Sequence, residues 1–135
     1  MLPPPAYIEA RLLAKFHVQV EIEPSVVDAT PAYLPVRGRV RRVFRGGSLE
    51  PGAELRFTVP VCRRGDEIMP GGDLWMYHEQ FQGAKYMEVF LDGTPPECKL
   101  ACSQCSVVAG LSDLPQLAVP TEEEVAAAWE RLRAP

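Results

Sequence analysis

The stretch Ala10-Arg-Leu-Leu-Ala-Lys-Phe-His-Val-Gln-Val-Glu-Ile22 decides how this chain folds. Ala10, Leu12, Ala14, Phe16, Val18, Val20 and Ile22 alternate with Arg11, Leu13, Lys15, His17, Gln19 and Glu21, and only Leu13 breaks the period of two. Alternation of this length describes a long strand with one buried face and one wet face. A helix over residues 7–16 competes for the first half, because Ala, Leu, Glu and Arg favour it. The β-branched half, His17–Ile22, reads as strand either way, and Pro24 ends or bends it. Upstream, Pro3, Pro4 and Pro5 predict a flexible extended arm over residues 1–6.

Downstream, the same period returns. Val36, Gly38 and Val40 share a face, with Arg37, Arg39 and Arg41 on the other. Gly38 inside this strand suggests a bulge or tight bend. Gly46-Gly47 and Pro51-Gly52 punctuate the chain before a strand over Glu54–Val61, with Leu55, Phe57, Val59 and Val61 inward. Asp73 can cap a short helix over Leu74–Phe81. Lys85–Leu91 reads as a fourth strand with Met87, Val89 and Leu91 on one face, and a fifth falls within Ser103–Ala109. Thr121 and Glu124 have capping-box spacing, so a helix follows over Glu122–Arg133, docked by Val125, Trp129 and Leu132.

A chain of 135 residues, 47% apolar and 24% charged, suits one domain over residues 1–135 with a core of its own. It contains no apolar run long enough for a membrane-spanning helix. Four cysteines are too few for a disulfide-dense scaffold, and the start Met1-Leu-Pro-Pro-Pro lacks the pattern of a secretory signal. The expectation is a cytoplasmic protein, or an exported one whose signal has been removed. Five short strands with glycine at the bends, a helix before the fourth strand and a C-terminal helix predict a mainly β fold, a five-stranded OB-like barrel. Closure removes exposed strand edges from so small a sheet.

The run Val36-Arg-Gly-Arg-Val-Arg-Arg-Val-Phe-Arg-Gly-Gly47, then Pro51-Gly52, a strand, and Tyr86-Met-Glu-Val-Phe-Leu-Asp-Gly93 resembles bacterial netrin-like domains. These are the OB-fold barrels shared with tissue inhibitors of metalloproteinases. The resemblance covers about residues 16–93. In the inhibitors it implies an N-terminal cysteine whose amine and carbonyl chelate a protease zinc. Here the chain opens Met-Leu-Pro and its first cysteine is Cys62, so that mechanism does not carry over.

Three constellations could carry function. Between Val36 and Arg64, eight arginines face two glutamates, while the remainder holds six basic and sixteen acidic residues. Arg37, Arg39, Arg41, Arg42 and Arg45 are therefore candidates for anion or single-stranded nucleic-acid binding, against the plainer reading of solvated or acid-paired arginines. Cys98, Cys102 and Cys105 have the spacing of the iron–sulfur cradle of radical SAM enzymes, but this chain cannot supply their large α/β barrel. With His78 they could hold zinc if helical; as strand residues they read as buried or disulfide-bonded. Trp75, Met76, Tyr77 and Phe81 form an aromatic patch, either a plug in the barrel end or a protein-binding surface.

His17, on the outward strand face, and His78 give no arrangement of nucleophile, base and oxyanion donors, and no phosphate-binding loop occurs. The expectation is a non-catalytic binding module without a cofactor. It would engage a protein partner through barrel loops or an open sheet edge. Nucleic-acid binding and a metal-binding module are the alternatives.

Overall fold

The computed structural model describes residues 2–23 and 27–134. Pro24 and its expected bend lie outside the described residues. Strand β1 is Phe16–Ile22, β2 Ala32–Arg45, β3 Glu54–Cys62, β4 Met76–Tyr77, β5 Tyr86–Thr94 and β6 Glu97–Val108. Helix α1 is Pro4–Leu13, α2 His78–Phe81 and α3 Glu122–Arg133. The chain is mainly β.

The six strands form one mixed sheet in the order β2-β1-β5-β6-β3-β4, and an additional β2–β3 pairing bends five of them into a ring. All contacts around it are antiparallel except β3–β6, which is parallel and joined at the single pair Arg56–Glu97. The ring is therefore not a regular barrel. β4 hangs outside it, parallel to β3 through Val61–Met76 and Cys62–Tyr77.

Alternation sets the inside. Phe16, Val18, Val20 and Ile22 of β1 meet Val36 and Val40 of β2, Leu55, Phe57, Val59 and Val61 of β3, and Met87, Val89 and Leu91 of β5 in one core. Phe81 of α2 enters the same core. Of the aromatic patch, Phe81 is buried and Trp75 and Met76 are half-buried, while Tyr77 stays 38% exposed.

Several expectations need correction. The N-terminal arm is helical from Pro4, because a proline in the first turn lacks only an amide that has no helical acceptor there. Helix then occupies residues up to Leu13, so the first strand begins at Phe16 and not at Ala10. The helix expected over Leu74–Phe81 shrinks to His78–Phe81, since Met76 and Tyr77 pair with β3. The fifth strand starts six residues early, at Glu97. Gly38 sits in regular pairing; its role is a close approach, since an added Cβ would lie 3.2 Å from Val20. The bulges of β2 fall at Arg41 and Phe44, where the register with β1 skips. That shift tilts Phe44 over His17, with ring centroids 5.0 Å apart.

The largest correction concerns the outer face of β1. His17 and Gln19 are buried, and so is Glu88 beside them on β5. Phe90, fully buried, points the same way and packs with Ala14 and Ala101 beneath Ala10 of α1 and Leu117. A second layer, made of α1 and the connection 109–121, covers this side of the sheet. A strand pair buried on both faces cannot be told from a half-exposed one by alternation alone.

Candidate functional site

The second edge of β6 faces β3. Its pairing with β5 jumps from Leu91–Leu100 to Val89–Cys105, so Ala101, Cys102, Ser103 and Gln104 bulge out opposite Phe90 alone. Cys102 and Ser103 both adopt positive φ, 47° and 59°. Non-glycine residues rarely hold that conformation, and bulges of this kind re-aim side chains. Ala101 drops into the layer under α1, and the Gln104 carboxamide oxygen accepts from Arg11 Nε at 2.6 Å.

On the side of β3, the single Arg56–Glu97 pair is followed by β3 turning to β4 instead. Among the described residues, the rest of this β6 edge has no strand partner. Two hollows lie along it. One, about 470 Å³, has Val59, Met76, Cys105 and Val107 among its walls, with Arg11 and Trp75 beside them. The other, about 360 Å³, is bounded by Leu2, Tyr33, Thr58, Pro60, Lys99 and Cys102. Val59 belongs to the ring interior, so the first hollow reaches down to the core.

Asp73 lines the second hollow. Its Oδ2 accepts from the Tyr33 hydroxyl at 2.5 Å and its Oδ1 from Ser103 Oγ at 3.3 Å. The hydrogen bond to Asp73 raises the Tyr33 phenol above its ordinary 10. Tyr33 is exposed, and its ring lies 5.2 Å from that of Trp75. The arrangement offers backbone hydrogen-bonding groups, apolar side chains on the floor of the first hollow and an aromatic ring at each hollow.

The residues singled out from sequence are placed differently. Arg37 pairs with Glu54 at 3.2 Å and Arg42 with Asp113 at 3.4 Å; Arg41 meets Glu21 with both Nε and a terminal nitrogen at 3.0 Å. Arg45 donates to the carbonyls of Arg11 and Ala14, at 2.9 and 2.8 Å, and closes the end of α1. Arg39 is exposed, in register with Glu21 and Glu54. The stripe is thus laced with carboxylates and carbonyls.

No group of three or more His, Cys, Asp or Glu among the described residues is placed to hold a metal ion. Cys98 and Cys105 pack against the core, whereas Cys102 lines the second hollow. All four cysteines are free. Burial pushes the Cys105 thiol up to about 12. His78 lies apart, its Nδ1 3.9 Å from Glu79.

The Glu88 cluster escaped the sequence reading. Glu88 Oε1 accepts from Gln19 Nε2 and from the amide of Gln116, and Oε2 from the amide of Leu117, each at 2.8 Å. His17 Nε2 lies 2.9 Å from Oε2. Burial alone would raise this carboxyl, but the hydrogen bonds outweigh it and hold Glu88 below 4.5. Burial lowers His17 below 6.5 against the opposing pull of Glu88. A neutral His17 therefore donates from Nε2 to an ionised carboxylate. The one signal in the sequence was Phe90, an apolar ring on the face assigned to solvent. The cluster is buried and anchors residues 112–117.

No helix among the described residues is long and apolar enough to cross a membrane. Comparison of the chain with protein-family models, with curated proteins and with solved structures finds no match.

Proposed function

We propose that the chain is a non-catalytic protein-binding module of OB-like, netrin-like type, whose partner lays an extended segment along the open edge of β6. The ring order β1-β2-β3-β6-β5 with one parallel contact, and a short helix between β3 and β5, support the OB-like reading. The observation that carries the binding role is the unpartnered β6 edge flanked by two hollows. Small sheets normally blunt such an edge with charge, proline or a covering element. Here the flanks mix polar and apolar side chains, with Trp75 at one hollow and Tyr33 at the other. An added strand gains main-chain hydrogen bonds from the edge and side-chain selectivity from the hollows on alternate residues.

The arginine alternative has less support, because Arg37, Arg41, Arg42 and Arg45 already carry partners that a phosphate would have to displace.

The test is selection from a displayed library of random peptides, followed by amide exchange of the complex. Enriched sequences should slow exchange in residues 99–107, and Trp75→Ala should weaken them at least tenfold. An enriched set that protects another segment, or no enrichment above background, defeats the proposal.

A further inference from the structure

The stretch between β3 and β4 meets β6 without joining the core. None of residues 63–75 is buried or packed against the core; Met76 is the first that is packed there. The base of the stretch is tied down. Arg63 donates its amide to Asp66 Oδ2 at 2.7 Å, and its guanidinium to Thr30 Oγ1 and the Val27 carbonyl at 3.3 and 3.2 Å. The far end pairs with β3 at Met76 and Tyr77. In between, residues 67–71 make no hydrogen bond among the described residues, and Met69 is 86% exposed.

Two latches hold this stretch against the sheet. Asp73 accepts from Tyr33 of β2 and from Ser103 of β6, and the Gly72 carbonyl accepts from the Tyr7 hydroxyl at 2.9 Å. That hydroxyl in turn accepts from the Leu2 amide at 3.0 Å. The Leu2 side chain lies over Gly72, 3.2 Å from where a Cβ would stand. Ser103 lines both hollows of the β6 edge. A segment laid along β6 from one hollow to the other therefore passes Ser103, where the Asp73 carboxylate sits.

We propose that residues 67–74 are a lid, latched shut at Gly72 and Asp73, which a partner segment must displace to pair with β6. This rests on the β6 edge being the binding site, and it adds how that edge is kept from pairing in the free chain. An open edge invites any strand, and a covering element is one way a sheet prevents it. A cover held by hydrogen bonds, with no core contact of its own, opens at a fraction of the cost of unfolding. The partner replaces the latches with main-chain bonds along β6 and side chains in the hollows. Its apparent affinity is the intrinsic affinity scaled by the open fraction, so loosening a latch tightens binding.

The test reads the free chain first. Tyr7→Phe removes the hydroxyl that holds Gly72 and changes no side chain lining either hollow. Tyr33→Phe removes one donor to Asp73 and keeps the ring beside Trp75. One hydrogen bond lost shifts an opening equilibrium by roughly two- to tenfold. Thermolysin cleavage at Ile68 or Met69, located by mass spectrometry, should quicken by that factor in each variant and by more in the two combined. Thermal melts check that the ring itself stands. The second arm takes a peptide whose binding slows exchange in residues 99–107 and measures its affinity. Tyr7→Phe should bind it roughly two- to tenfold more tightly than the wild-type chain. Unchanged cleavage in the folded variants overturns the lid, whether or not a peptide is found. Equal or weaker binding by Tyr7→Phe overturns the gating and leaves the edge standing as the binding site. A chain that binds no peptide defeats the edge as a binding site, and the gating falls with it.

Discussion

His17 Nε2 lies 2.9 Å from Glu88 Oε2, and neither side chain is open to solvent. This pair is the centre of a clasp that ties the connection 109–121 to the outer face of the sheet. Gln19 extends the clasp, accepting from the amide of Ser112 and donating to its hydroxyl, both at 2.8 Å. Glu88→Ala takes an acceptor from His17 Nε2 and Gln19 Nε2 together with the Gln116 and Leu117 amides. Each buried donor left without an acceptor costs about 1–3 kcal/mol, so the urea midpoint should fall accordingly. Amide exchange at Gln116 and Leu117 should quicken well beyond the rest of the chain. Unchanged exchange there would mean that the connection is held by something else.

The pair also sets a pH dependence. Both groups sit below their ordinary values of 6.5 and 4.5, so the unfolded chain binds more protons than the folded one as pH falls through each. Stability contributed by these groups should be complete above 6.5, decline from there as unfolded histidine protonates, and decline further below 4.5. Urea titrations between about pH 3 and 8 measure this. An increase in stability on acidification through 6.5 would show His17 charged in the fold.

Gly46 has a φ of 98°, and a Cβ there would overlap the Phe16 ring. Gly46→Ala therefore combines backbone strain with overpacking against a core residue, and should cost roughly 2 kcal/mol or more. Gly47→Ala, with open space around it, provides the control in the same thermal melts.

The arginines of β2 should separate by role. Arg45→Ala removes the donor that serves two carbonyls at the end of α1 and should cost roughly 1.5–3 kcal/mol. Arg37→Ala removes an exposed pair with Glu54 and should cost less than about 1 kcal/mol. Equal losses in chemical denaturation would contradict this division.

The cysteines should react unequally. With its thiol held near 12 by burial, Cys105 carries almost no thiolate at neutral pH, and buried Cys62 is likewise raised. Alkylation followed by mass spectrometry should label Cys102 first and Cys62 and Cys105 only on unfolding. Added zinc should leave the melting temperature unchanged.

Much of the ring could be read from single segments. Val18, Val20, Leu55, Val59, Met87 and Val89 all lie where alternation put them, and Thr121 caps α3 through Glu124 as its spacing required. The unpaired edge of β6 could not be read. It exists because β3 leaves β6 after one pair, and no residue type in either strand announces that departure. The partners of the arginines were hidden for a related reason: Glu21, Glu54 and Asp113 come from three other segments.

The sequence by itself determined the inner face. An apolar residue at every second position is a local property, and burying it stabilises any closed sheet these strands build. Only tertiary structure decided the outer face. His17, Gln19 and Glu88 look like ordinary wet-side residues until a segment 93 positions away from Gln19 folds back over them. Its backbone amides satisfy their charge and hydrogen bonds, and that cover is what makes burial of a carboxylate possible.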